Sequence, residues 1–253
     1  MDKPIVLYTD HIMNRTLCYN FAKGSNSLLC HVNDFREYHK TIATYGVLRG
    51  TYEIIKKVNN FYYIDHGYFN QSERKFENNR TNVLNLDGYF RIVYNNFVHS
   101  GEGDFPEDRF KKLNLQFKKQ KNHGRYIILS EPSEIMKKIY NQKNWVSETK
   151  KILKKLSDRE IIVHNKFSKK SLDSLLVNAW AFISLQSAAG FKAMINGIPA
   201  YFTEETLKNI NPIQEIENPK INYKIFNNLA YGQWTLNEIE SGEAWENIIN
   251  YNK

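Results

Sequence analysis

Hydrophobic positions along this chain fall into short runs, each closed by polar or turn-forming residues, with amphipathic stretches between them. The first run is Pro4 to Asp10. Ile5-Val6-Leu7-Tyr8 is apolar and closes on Thr9-Asp10-His11, the pattern of a buried strand with a polar end. A helix is predicted from there to about Phe21, where Gly24-Ser25-Asn26 breaks it. Ser27 to Val32 reads as a strand, and 33–40 is polar without a clear period. Tyr45 to Gly50 leads into a helix over Thr51–Val58, and Phe61-Tyr62-Tyr63-Ile64 is a strand ending at Asp65-His66-Gly67. Between 70 and 108 only Asp87 to Tyr94 has strand character, and His99 to Asp104 reads as a loop.

From Gly124 the pattern sharpens. Arg125 to Leu129 is a strand ending at Ser130-Glu131-Pro132. Trp145, Val146, Thr149, Ile152, Leu153 and Leu156 recur at helical spacing with Lys150, Lys151, Lys154 and Lys155 opposite, which predicts an amphipathic surface helix. Glu160 to Val163 is a strand ending at His164-Asn165-Lys166, and Leu172 to Val177 a short helix. Ala181 to Phe202 then reads as strand, tight polar turn, short helix, Gly197-Ile198-Pro199 break and second strand. A helix follows from about Leu236 to Tyr251, with Thr235 as N-cap and Glu238 three residues on, a capping box.

Strands alternating with helices predict an α/β protein with largely parallel sheets. In such sheets ligands lie beyond the carboxyl ends of the strands, which puts Asp10-His11 and Asp65-His66 on the edge where chemistry would occur. The strand-to-helix junction at Gln186-Ser187-Ala188-Ala189-Gly190 leaves backbone N–H groups free for an anion. Ser187 stands in N-cap position there, and the small residues after it allow close approach to the backbone. Lys166 and Ser130, at neighbouring strand ends, are candidates for phosphate or ribose contact. Thr203 and Glu204 either hold sugar or ribose hydroxyls or cap the next helix.

Composition adds limits. With 42% hydrophobic and 25% charged residues, 253 residues suffice for one large domain or two small ones. No run of ~18 apolar residues predicts a membrane span, and the chain starts directly into a strand, without a signal-peptide pattern, so a cytoplasmic protein is expected. Cys18 and Cys30 are too few for a disulfide framework or metal cluster and read as core, and no metal site is expected. The net charge of +8 suits an anionic partner (nucleotide, nucleic acid or membrane surface) or a solvated surface with excess lysine. Residues 109–125 carry Arg109, Lys111, Lys112, Lys118, Lys119, Lys121 and Arg125 without an acid, interleaved with Phe110, Leu113, Leu115 and Phe117. That stretch is either a linker with a basic face or a nucleic-acid-contacting segment.

The second half carries a resemblance. Ile127 to Ser133, Trp145 to Lys155, Asp158 to Lys166, Asn178 to Ser184 and the Gln186-Ser187-Ala188-Ala189-Gly190…Ala193…Gly197-Ile198-Pro199 pattern together resemble the donor-binding half of GT-B glycosyltransferases. The nearest group is the capsular-polysaccharide and Kdo-transferase-like enzymes and related phage-encoded proteins. The resemblance covers roughly 124–205; the N-terminal half matches only through Asp65-His66-Gly67-Tyr68 and Arg91. Where many retaining members have a Glu-x7-Glu pattern, this helix has Lys192, and where Kdo and sialic acid transferases have His-Pro, His164 precedes Asn165.

The resemblance implies two Rossmann-like domains facing a cleft, the N-terminal one reduced. Residues 1–108 would form the acceptor side, 109–123 a basic linker, 124–228 the nucleotide-sugar-binding domain, and 229–253 a helix crossing back to the N-terminal domain. It implies transfer of a hexose or pentose from a nucleotide-sugar, a UDP-sugar being favoured, to a hydroxyl of a surface glycan or of hydroxymethylated phage DNA, with no cofactor. No metal is needed if helix dipoles and basic side chains stabilise the departing nucleoside diphosphate. A base must take the acceptor proton: Asp65 is the first candidate, His66 the second, Asp10 with His11 a further pair. Asp65 and His66 could equally cap a turn and pack locally. Ser130, Lys166, Gln186, Ser187, Ala188, Ala189, Gly190, Thr203 and Glu204 would line the donor site, and Arg49, Tyr68, Arg91, Lys118 and Lys119 would meet the acceptor. An epimerase or hydrolase on the same fold, or a non-catalytic nucleic-acid-binding protein, are the alternatives.

Overall fold

The computed structural model describes residues 3–71, 75–77, 81–83 and 86–251. The chain forms two compact units, Met1–His99 with Leu229–Lys253, and Ser100–Asn228.

In the first unit β1 (Ile5–Tyr8), α1 (Ile12–Ser25), β2 (Leu29–His31), β3 (Thr41–Tyr45), α2 (Thr51–Ile55), β4 (Asn60–His66), the β5–β6 hairpin (Lys75–Glu77, Thr81–Val83) and β7 (Tyr89–Tyr94) follow in order. β2, β1, β3 and β4 pair in parallel in that spatial order, so a switch point lies between β1 and β3. β7 extends the sheet antiparallel to β4. One face is closed by α1, whose Leu17, Phe21 and Ala22 meet Val6, Tyr62, Ile64 and Phe90. The left-handed Asn26 ends α1, its amide donating back to the last turn.

The second unit opens with α3 (Asp108–Lys112) and continues through β8 (Tyr126–Ser130), α4 (Glu134–Ile139), α5 (Trp145–Leu156), β9 (Glu160–His164), α6 (Leu172–Leu176), β10 (Ala179–Ser184), α7 (Ala189–Ile195) and β11 (Ala200–Phe202). Its sheet, β9-β8-β10-β11, is wholly parallel and repeats the order of the first four strands of the other unit. The switch point here is between β8 and β10. Trp145, Thr149 and Leu153 of α5 are buried, and the first and third join the core on Ile127, Leu129, Ala181 and Ile183. The stretch 109–123, expected as a linker, lies inside this unit. Phe110 and Phe117 pack with Phe226, the Lys118 amide donates to Ile195 O, and Lys121 Nζ donates to the Leu176 and Val177 carbonyls at the end of α6.

The chain then runs through α8 (Lys224–Ala230) to β12 (Gln233–Thr235), α9 (Leu236–Ser241) and α10 (Glu243–Tyr251). β12 pairs antiparallel with β7 as the outer strand of the first sheet. The capping box is present, Thr235 accepting from the Glu238 amide and Glu238 from the Thr235 amide. The single helix expected over 236–251 is two, because Gly242 adopts φ 94° and ends α9.

Candidate functional site

At the carboxyl edge of the first sheet, parallel register brings the ends of β2, β1, β3 and β4 side by side. Tyr8 lies opposite His31, and Tyr45 opposite Ile64. Asn14, buried in the first turn of α1, ties the switch point together: its Oδ1 accepts from the Thr9 amide at 2.6 Å, and its Nδ2 donates to Tyr45 O at 2.6 Å. The Tyr45 hydroxyl and His66 Nε2 share a hydrogen bond of 3.1 Å, and the half-buried imidazole stacks on Phe90. Asp10 stands two residues past the end of β1. Its side chain, 92% exposed, points to His31, with Nε2 3.6 Å away; His11 stands as N-cap of α1.

Asp65 faces the opposite side of the sheet from His66, as strand alternation requires. Its Oδ2 accepts from Arg91 Nη2 at 2.9 Å and from the Tyr63 hydroxyl at 2.7 Å, and its Oδ1 from the His66 amide at 2.8 Å. Arg91 is buried between the Tyr63 and Tyr68 rings, 5.7 and 5.4 Å from their centroids. Burial, the largest single effect, pulls the Arg91 guanidinium pKa down, but Asp65, Tyr68 and Tyr63 together outweigh it and leave the group above its ordinary value. The Tyr68 hydroxyl shares 2.9 Å with His99 Nδ1 and accepts from the His99 amide at 2.8 Å. Burial, helped by the Arg91 charge, pushes His99 down to about 4, so its ring is neutral. Burial lifts the Tyr68 phenol to about 12, so it stays protonated. Gln233 of β12 closes the group, accepting from the Tyr68 and Phe69 amides. Tyr68 and Arg91, expected to meet the acceptor, are buried members of this network. Arg49 is exposed in a left-handed conformation, φ 59°.

The second sheet's carboxyl edge aligns Phe202, Ser184, Ser130 and His164 in one register row. Glu131, just past β8, accepts from Lys137 Nζ at 2.7 Å and from Asn165 Nδ2 at 2.9 Å, and both bonds hold its carboxyl below the usual range. Lys137 also bridges to Glu134. This Glu131–Lys137–Asn165 cluster was missed in the sequence, although Glu131 and Asn165 each stand in the polar pair that closes an apolar run. Ser184 Oγ accepts from the Ser187 amide at 3.2 Å, and Ser187 Oγ accepts from the Ala189 amide at 3.2 Å; the N-cap of α7 is Ala188, and Ser187, expected there, stands one position before it. Gln186 is buried, with Nε2 on Met136 Sδ and Oε1 without a partner among the described residues.

Gly190 serves packing. A β-carbon there would lie 2.6 Å from the Phe202 ring, so the glycine lets α7 sit on β11. Thr203 Oγ1 accepts from Trp145 Nε1 at 2.6 Å, and Glu204 is turned back onto Thr206, its carboxyl raised by burial against those hydrogen bonds. Lys166 is exposed, its Nζ 4.9 Å from the Phe167 ring centroid. Lys118 donates to Asn196 Oδ1, and Lys119 is exposed. Among the described residues no group of three or more His, Cys, Asp or Glu is arranged for a metal ion, and no helix is long and apolar enough to cross a membrane.

No family model matches the sequence, and no curated protein matches it significantly. Among solved structures the fold is similar to Thermosulfurimonas dismutans KpsC, beta Kdo 2,4 transferase, with 9% identity and a TM-score of 0.50 over 92% of this chain and 91% of that one. It is also similar to the same organism's KpsC, beta Kdo 2,7 transferase, with 12% identity and a TM-score of 0.50 over 98% and 100%. At these identities the likeness is one of fold, an α/β Rossmann-like architecture.

Proposed function

We propose that this chain is a glycosyltransferase of the GT-B kind, moving a sugar from a nucleotide-sugar to a hydroxyl of a glycan. The observation that carries the reading is the fold likeness to two Kdo transferases over nearly the whole chain. It is supported by the repeated strand order in the two units, each with a switch point lined by polar side chains.

On this reading the carboxyl edge of the second sheet takes the donor. Ser130, Gln186, Ser187, Ala188 and Ala189 surround its switch point, and the Glu131–Lys137–Asn165 cluster supplies acceptors and donors for ribose hydroxyls. With Asp65 committed to Arg91, His66 is the base: the Tyr45 hydroxyl at Nε2 orients the imidazole, which takes the proton of the acceptor hydroxyl as its oxygen bonds to the sugar and the nucleotide departs with the electrons of the broken bond. Asp65 then positions the strand end through the His66 amide. A glycan acceptor is preferred to DNA because the acid-free stretch 109–125 is held by packing. Its phenylalanines join α8, and Lys121 is occupied by the end of α6.

The test is a thermal-shift panel of UDP-, GDP-, CMP- and dTDP-sugars, a UDP-sugar first, then turnover on oligosaccharides and on hydroxymethylated DNA. Stabilisation by one donor and transfer to a glycan support the reading. Stabilisation by none removes it, and transfer to DNA alone replaces the acceptor.

A further inference from the structure

The net charge of +8 resides wholly in one unit. Ser100–Asn228 contains 22 Lys and Arg against 14 Asp and Glu, whereas the other unit has 13 of each. Within the charged unit, the turn after β9 has an unusual construction. The Asn165 amide donates to Ser168 Oγ at 2.9 Å, the Ser168 amide to Asn165 O at 3.0 Å, and the Phe167 amide to Asn165 Oδ1 at 3.0 Å. The turn is thereby closed on itself and holds the Phe167 ring outward, 82% exposed. Lys166 lies over that ring, and Lys169 and Lys170 follow, both exposed. Asp173, the one acid of α6, is neutralised by Lys192 at 2.8 Å.

We propose that this turn docks the protein on an anionic phospholipid surface, with Phe167 entering the headgroup–acyl boundary and Lys166, Lys169 and Lys170 on the phosphates. Keeping a phenyl ring in water forfeits the gain of burying it, and here a turn closed by Asn165 and Ser168 holds it there. An apolar tip ringed by lysines is the composition that binds at a charged membrane interface. Single-stranded nucleic acid would ask for a run of aromatic platforms along a groove. Residues 165–171 offer a single ring. The proposal does not depend on the glycosyltransferase reading.

The experiment is co-sedimentation of the full chain with vesicles of phosphatidylglycerol and phosphatidylcholine, against phosphatidylcholine alone, at low and high salt. Partition onto the anionic vesicles that weakens with salt is expected. Lys169→Ala and Lys170→Ala should each lower it about fivefold, from about 1 kcal/mol per surface lysine. Phe167→Ser should lower it at high salt as well, with Tm unchanged because the ring is exposed. Equal partition onto both vesicle types would overturn the proposal. So would wild-type partition by all three variants, or binding of a thymidine oligonucleotide through these residues without vesicle binding.

Discussion

Asp65 Oδ2 lies 2.9 Å from Arg91 Nη2 across the β4–β7 pair, the two residues directly opposite in register. The arginine side chain is 8% exposed and the aspartate 25%. Removing one partner of such a pair leaves a buried charge uncompensated, at a cost of about 3–5 kcal/mol. Asp65→Asn is therefore expected to lower unfolding free energy by roughly that amount in urea titration. Asp65→Asn with Arg91→Met should recover part of it. A single variant as stable as the parent would show that the pair contributes little.

His66 carries the proton-transfer role in the proposed chemistry. His66→Gln should lower kcat about 10²- to 10⁴-fold, with unfolding free energy changed far less than by Asp65→Asn. Full turnover in His66→Gln would remove it as the base.

His99 gives the fold a pH dependence. Its ring titrates near 4 when folded and near 6.5 when unfolded. Between those values the unfolded chain binds the extra proton, so this contribution to stability is intact above about pH 6.5 and declines as pH falls toward 4. The slope is at most about 1.4 kcal/mol per pH unit. Urea midpoints measured across that window should fall with acid, and His99→Gln should flatten the profile. An equal slope in the variant would exclude His99 as its source.

Gly190→Ala separates packing from ligand approach. The added methyl meets the Phe202 ring, which is itself against Phe191 at 5.0 Å between centroids. A loss of about 1–3 kcal/mol is expected from overpacking, read as a lower Tm without any ligand. An unchanged Tm would contradict the packing role.

Much of the second unit was legible because its strands are continuous apolar runs, and β8, β9 and β10 each end at a polar residue, as in Ile127–Ser130 and Ile161–His164. β3 was not read. Thr41 to Tyr45 is short, follows a polar stretch, and owes its central place to parallel pairing with β1 and β4. β12 was missed for a similar reason: Gln233-Trp234-Thr235 becomes a strand only against β7, more than a hundred residues earlier. The alternation placing Asp65 and His66 on opposite faces was readable. That Arg91 stands opposite Asp65 was not, because antiparallel register is a tertiary property.

The most direct test of the central claim measures nucleotide release by the full chain from each nucleotide-sugar, with and without an oligosaccharide acceptor, alongside sugar incorporation into that acceptor. Release from one donor that rises with acceptor, matched by incorporation and lost in His66→Gln, is expected. No stabilisation and no release with any donor would contradict the glycosyltransferase reading, and release indifferent to acceptor would favour a hydrolase.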